Sequence, residues 1–468
     1  MSASTTLPIA QPVPQPAAPA LGPTVVRGYP LLGVLPGMLR DAPGTLLAAA
    51  AAHPDALFAL RVGPVELPVI CQPEHIHEVL VANADDYTKA GMWAATKPLL
   101  GDGLVTSDGE TWKRQRKLMQ PLFSPRHLSG LADLMVRAIA AQVDELASRQ
   151  GEVELGLEMT LLTQRVLMET LFGASLDPVE ARAMGEHLNT AFAAMNKRLF
   201  LYWLPEWCPR PGDREFRSSI AAIDQFLARM VADRRANPVE RGDMLNQILS
   251  ARDPETGEGM SDKAVRDELI TLFVAGLDTT AVTLTWMFWL LEQHPDVDAR
   301  LRAEVAEVLA GRLPTMADLP RLTYTKQVMQ ESMRLYPPAW IFPRYTPGGT
   351  TVGGRAIPAG TSMLVSPYLA HRDPAQWPDP ETFNPERFNA EQSAGRHRMA
   401  YIPFGAGGRQ CVGMHFAIME GVFAAAVLVQ RLRPRLVPGH KVEVAAMSTL
   451  KPRHGMRMTM EAAAQPQG

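Results

Sequence analysis

Cys411 has the most pronounced chemical setting in this 468-residue chain. It follows Phe404-Gly405-Ala406-Gly407-Gly408-Arg409-Gln410 and stands two residues before Gly413, at the start of an amphipathic run that reaches about Leu432. A cysteine just ahead of a helix meets unpaired backbone N–H groups and the positive end of the helix dipole, and both favour thiolate over thiol. Such a sulfur suits a metal. The glycines let the loop run close to a flat, bulky ligand, and Arg409 offers a cation to that ligand's carboxylates. A second grouping, Ala275-Gly276-Leu277-Asp278-Thr279-Thr280, sets an acid beside a hydroxyl in an otherwise apolar stretch, where the pair can relay protons. Glu331 with Arg334, and Trp112 with Arg116, are spaced to share a helix face. Each grouping has a bland counterpart. A lone cysteine is commonly a small buried hydrophobe, the reading that suits Cys71 and Cys208, and an i,i+3 ion pair is commonly a surface contact.

The same glycines imitate a dinucleotide-binding turn. However, the sixth position of G-x-G-x-x-G falls on Gln410, and no acid closes a following strand about 20 residues on, so that reading fails.

The elements that carry these residues are mostly helical. Leu269 to Leu291 holds one charge, Asp278, and Ser261 can cap a charged first turn ahead of it. About 32 residues at 1.5 Å each span roughly 48 Å, which predicts a helix buried through the middle of a soluble protein rather than a bilayer span. Helical spacing also marks Leu46–Ala52, Leu131–Leu146, Leu157–Phe172, Ala221–Arg235, Asp298–Leu309, Tyr324–Leu335 and Val412–Leu432. Two apolar runs around Gly63-Pro64, within Leu57–Cys71, predict a hairpin. Residues 1–28 are rich in Pro and Ala and read as a flexible tail, leaving 29–468 as one mainly helical domain with a minor sheet.

Composition removes several classes. A formal net charge of −3 gives no field for nucleic acid, and 46% hydrophobic residues exclude general disorder. Three scattered cysteines make no disulfide framework and fit a reducing compartment. The N-terminal residues carry no basic, apolar leader, which predicts a cytoplasmic protein with no membrane anchor. The preponderance of Arg over Lys suggests a bacterial source by association.

Phe404 to Gly413 matches F-x-x-G-x-R-x-C-x-G, and on this motif the chain resembles the cytochrome P-450 superfamily. Phe416, Ala417 and Glu420 continue in the same manner, as do Glu331-x-x-Arg334, Pro385-Glu386-Arg387-Phe388 and Trp112-x-x-x-Arg116. The resemblance implies heme b held between the long central helix and the cysteine loop, with Cys411 as iron ligand. It implies cofactor contacts from Trp112, Arg116, Arg344, Phe404, Arg409, Gly413, Ala275 and Gly276. It makes Glu331, Arg334 and Arg387 a buried structural triad, gives His371 a structural hydrogen bond, and makes Asp278 and Thr279 the acid and alcohol of dioxygen activation.

Thiolate ligation favours O–O cleavage. The implied reaction is therefore insertion of one atom of O2 into a lipophilic molecule, terpenoid or fatty-acid-like, with electrons from a ferredoxin or flavodoxin and its reductase. A peroxygenase, a heme-thiolate isomerase or dehydratase, and a non-catalytic heme sensor are the alternatives. The family docks its donor on the surface that here carries Lys113, Arg114 and Lys117. Its pocket-lining segments would bring in Met92, Trp93, Phe192, Met195, Phe200, Trp340 and Phe342, several of which could equally be core. A monomer is expected.

Overall fold

The computed structural model describes residues 22–463 apart from 55–56, 90–92, 94–95, 150, 174–177, 201–209, 211 and 238–241. Met92, Cys208, most of the aromatic stretch 200–207 and the side chain of Phe200 therefore lie outside the described residues.

The expected central helix runs Asp262–Gln293, and the Ser261 side chain caps it by accepting from the Ala264 N–H at 3.2 Å. Its apolar positions fall on nearly every face, so it is packed all round. It lies against helix Leu155–Phe172 on one side and against Thr323–Leu335 and the C-terminal helix Met414–Arg431 on others. Two helices, the central and the C-terminal, are long and apolar enough to cross a membrane, but 78% and 67% of their most apolar windows are buried. Both are core helices. Gly276 is where the central helix meets Leu155–Phe172: a Cβ there would stand 2.9 Å from Leu167 Cδ2. Thr163 Oγ1 donates to the Leu277 carbonyl at 2.9 Å across the same contact.

The other expected helices are present, each reaching further toward its N-terminus or differing by a residue or two. Pro125–Ala147 and Pro295–Leu309 open on prolines and polar turns that carry no apolar period. Helix Pro178–Phe200 was not marked by helical spacing. The helix that includes Leu46–Ala52 begins at Leu35 and is interrupted at Asp41, which leaves helical geometry at φ −154°, ψ 87°.

The hairpin pairs Phe58–Val62 with Val65–Ile70 around Gly63, which takes φ +60°. It belongs to a five-stranded sheet ordered Thr24–Val26, Phe58–Val62, Val65–Ile70, Thr361–Val365, Phe342–Thr346. The first of these strands corrects the reading of 1–28 as a tail. Thr24–Val26 pairs in parallel with Phe58–Leu60, using its β-branched residues to extend the sheet before Tyr29. Near the C-terminus, Val444–Ala446 and Leu450–Pro452 form a separate antiparallel hairpin. Its strand Leu450–Pro452 receives the Trp286 indole N–H of the central helix on the Leu450 carbonyl at 2.7 Å.

Candidate active site

Two stretches of the core carry open residues. On the central helix, Leu272, Ala275, Gly276 and Thr279 are partly or fully open while Leu277, Asp278, Thr280 and Ala281 are buried. Their spacing of i, i+3, i+4 and i+7 makes one helical stripe. The second is the loop Phe404–Gly413. Here Cys411 lies deep in the protein yet has open space in front of its sulfur. The Cys411 N–H donates to the Phe404 carbonyl at 2.9 Å, which turns the loop, and the Gly413 N–H bonds the sulfur. Burial raises the Cys411 thiol above its ordinary pKa, and the Gly413 N–H and the Arg116 charge oppose that rise without cancelling it. The helix terminus alone thus does not make the thiolate expected of it; coordination to a metal would, since a ligating thiol is deprotonated outright.

The glycines divide by role. Gly407 is required by the protein itself: it takes φ +67°, and a Cβ would lie 1.9 Å from the Leu80 carbonyl oxygen. Gly408 lies against Trp112, 3.5 Å from its ring if given a Cβ.

Beside the cysteine loop sits a cluster of cations. A bridge joins Thr88 and Tyr345 through paired backbone bonds of 2.8 and 3.1 Å, bringing Lys89 beside Arg344. Asp108 then ties in the helix Gly109–Met119 by accepting from the Lys89 N–H at 2.9 Å and from Arg409 Nη2 at 2.5 Å. Arg409 lies 3.9 Å over the Trp112 ring and also donates to the Ser107 carbonyl at 2.8 Å. Arg116, one turn beyond Trp112, donates to the Gln410 carbonyl at 2.8 Å.

Lys89, Arg344 and Arg409 therefore share one nearby carboxylate among the described residues, Asp108, and Arg116 stands beside Lys89 and Arg409. Burial, with Arg409 next, lowers Arg344 to about 10; burial, then Arg409 and Arg344, lowers Lys89 to about 7. Among the described residues, the Lys89 ammonium donates to the Leu104 and Val105 carbonyls, both at 2.9 Å, and Arg344 donates to its neighbour's carbonyl, Pro343, at 2.9 Å. Half-buried cations in such excess call for an anion. A flat group with carboxylates at its edge and a metal opposite Cys411 fits these donors, and heme has that form. Lys89 was missed by sequence reasoning, because its neighbours come from some 250 residues away through the sheet.

The family model described as Cytochrome P450 matches residues 23–459. The chain is a cytochrome P450. Cyclooctatin synthase of Streptomyces melanosporofaciens is 39% identical over 89% of this chain and 90% of its own length. Pentalenene oxygenase of Streptomyces avermitilis is 30% identical over 94% and 97%. The crystal structure of the cytochrome P450DA heme domain superposes with a TM-score of 0.86 at 26% identity, covering 96% of this chain and 99% of that one. Heme is this P450's cofactor and monooxygenation its reaction class, and it draws its electrons from a redox partner.

The remaining site residues of this P450 fall as follows. Glu331 and Arg334 are fully buried and bidentate, with Nε–Oε2 2.7 Å and Nη2–Oε1 2.8 Å, and Arg387 Nε stands 3.4 Å from Glu331 Oε1. Arg334 also donates to the carbonyls of His371, Pro380 and Thr382. His371 Nε2 accepts from the Ile402 N–H at 2.9 Å, and burial, then Arg334, lowers its pKa to about 3, so the ring is a neutral hydrogen-bonding element.

Asp278 is held by an element outside the central helix. Its carboxylate is not bonded to Thr279 but to the C-terminal hairpin, Thr449 Oγ1 at 2.6 Å and Lys451 Nζ at 2.5 Å. Adjacent helical residues point about 100° apart, so an acid beside an alcohol in sequence need not face it. Thr279 donates to the Ala275 carbonyl at 2.8 Å.

Among the expected pocket residues, Trp340 is core: it is 3% exposed and donates to the Met447 carbonyl. Met195 is also buried, whereas Phe192, Trp93 and Phe342 are half-buried. Arg114 and Lys117 are paired with Glu258 at 3.0 Å and with Glu255 at 2.8 Å, and Lys113 with Glu110 at 2.8 Å.

Proposed function

We propose that this P450 inserts one oxygen atom into a lipophilic terpenoid, the balance being R–H + O2 + two electrons + two protons giving R–OH + H2O. The observation that carries this reading is the open apolar stripe of Leu272, Ala275 and Gly276 on an otherwise buried helix, closed by the single hydroxyl of Thr279. Relatives named for terpenoid oxidation, cyclooctatin synthase and cyclooctat-9-en-7-ol 5-monooxygenase among them, support the substrate class.

Heme, when bound, supplies the dioxygen chemistry, and thiolate ligation favours O–O cleavage. Cys411 Sγ is the ligand to its iron. Lys89, Trp112, Arg116, Arg344 and Arg409 would hold its propionates, and Phe404, Gly413, Ala275 and Gly276 would contact its ring. Thr279 offers its hydroxyl to dioxygen and Asp278 renews the proton. Glu331, Arg334 and Arg387 keep the loop in register. The donor is a ferredoxin or flavodoxin served by its own reductase, and the protein acts as a cytoplasmic monomer, with residues 29–468 and the added strand Thr24–Val26 as one unit.

Titration of the heme-loaded protein with cyclic terpene hydrocarbons, their mono-ols and straight-chain fatty acids tests the substrate class. A low-spin to high-spin Soret shift with the terpenoids is the expected result. A shift with fatty acids alone would reject the terpenoid assignment.

A further inference from the structure

Asp108 stands at the N-cap of the helix Gly109–Met119, yet its side chain does not cap it. An aspartate in that place ordinarily accepts a backbone N–H of the first turn and stabilises the helix. Here the next residue, Gly109, takes φ +58°, and nothing lies within 4 Å of where its Cβ would stand, so the glycine serves conformation and not space. The carboxylate is left to other partners. Its Oδ1 accepts from Arg409 Nη2 of the cysteine loop at 2.5 Å, and its Oδ2 accepts from the Lys89 N–H at 2.9 Å. Arg409 is held at two further points, by its bond to the Ser107 carbonyl and by the face of Trp112. Asp108 is also the acid whose charge Lys89, Arg344 and Arg409 each meet. A cap has been given up for a junction of the helix, the cysteine loop and the segment at Lys89.

We propose that Asp108 is a positioning residue of the cofactor site: it holds the Arg409 guanidinium and the Lys89 backbone in the arrangement that receives the heme propionates, and its negative charge sets the balance between ferric and ferrous heme. The proposal rests on reading Lys89, Arg344 and Arg409 as propionate ligands. A guanidinium already fixed on Asp108, Ser107 and Trp112 loses little side-chain freedom when a propionate arrives, so its affinity is not spent on ordering it. Reduction adds one negative charge to the bound group. A fixed anion a few ångströms from the propionate-binding cations opposes that charge, and a partly buried site transmits the effect better than water does.

The test uses the full chain loaded with hemin, without substrate or donor protein. Asp108→Asn should favour ferrous over ferric heme about threefold, a midpoint potential ~30 mV higher at 59 mV per tenfold. It should also speed transfer of hemin to excess apomyoglobin about fivefold, on the order expected for one lost charge-assisted bond. Asp108→Glu keeps the charge and moves the carboxylate out by one methylene, so the potential should stay native while hemin transfer still quickens. A residue that merely starts a helix would move neither readout. Arg409→Gln should lower the potential and quicken transfer, and adding Asp108→Asn to it should quicken transfer no further, because acid and guanidinium act as one unit. Native potential and native hemin transfer in Asp108→Asn, with both altered in Arg409→Gln, would overturn the role of Asp108 and leave the propionate site standing. Native values in Arg409→Gln would remove the propionate reading and the role of Asp108 with it. If Asp108→Asn fails to fold, Asp108→Ser, whose hydroxyl can cap the helix, decides by the same two readouts.

Discussion

Glu420 of the C-terminal helix is wholly buried against the central helix, the Thr280 hydroxyl faces it outside hydrogen-bond geometry, and neither carboxylate oxygen has a partner. Burial pushes this carboxyl up to about 8. The folded chain therefore keeps the proton at pH values where the unfolded chain, with a carboxylate near ~4.3, has released it. Stability from the neutral acid is fully present below the unfolded value and is lost as pH rises through about 8. Glu420→Gln removes this dependence. Relative to wild type it is expected to gain stability steadily between pH 5 and 9, on the order of a few kcal/mol at the upper end. Urea midpoints of the two heme-loaded proteins across that range check it, and parallel curves would refute it. Glu268, also raised to about 8 by burial, leaves part of the slope in the variant. At this scale the types of the site residues were legible and their partners only partly so. Glu331 and Arg334 announce one another three positions apart. The partners of Asp278 stand 171 residues away or more and are set by a hairpin that carries no motif.

At the scale of elements, Gly276 shows which of two opposed effects decides. Alanine in place of a mid-helix glycine gains ~1 kcal/mol of helix propensity. The new Cβ would fall 2.9 Å from Leu167 Cδ2, inside the buried contact with helix Leu155–Phe172, and overpacking of that kind costs ~1–3 kcal/mol. The clash should win. Gly276→Ala is expected to lower the unfolding free energy by about 1 kcal/mol net, and Leu167→Val in the same chain should recover part of that loss by making room. A fully additive double variant would place the cost elsewhere. The glycine's presence in an apolar helix was conspicuous in the sequence, yet the reason for it was not, since Leu167 lies 109 positions back on another element. The long helices were legible because their apolar faces repeat every three to four residues over several turns. Thr24–Val26 was not, because three residues after a proline-rich stretch carry too little period to be told from tail.

The molecule as a whole must meet an electron donor, and the positive charge of the helix beside the cysteine loop, the docking surface the family resemblance implies, is already half-answered by its own chain. Arg114 and Lys117 of the helix Gly109–Met119 reach Glu258 and Glu255 in the loop that precedes the central helix, with side chains 36–82% exposed across the two pairs. Exposed pairs of this kind are worth ~0–1 kcal/mol each, so an acidic donor can exchange its own carboxylates for Glu255 and Glu258 at small cost. The loop then acts as a weak internal competitor. Neutralising it with Glu255→Gln and Glu258→Gln should free Arg114 from its ion pair, leave Lys117 with Asp253 alone at 3.4 Å, and strengthen the positive field toward an approaching acidic partner. The expected outcome is an apparent KM for a ferredoxin lowered several-fold at low ionic strength, with kcat unchanged. The gain should fade as salt shortens the screening length from about 30 Å at 0.01 M to about 3 Å at 1 M. A ferredoxin KM indifferent to both substitutions at every salt concentration would move the docking site off this helix, to the exposed surface beside Gly407 and Gly408.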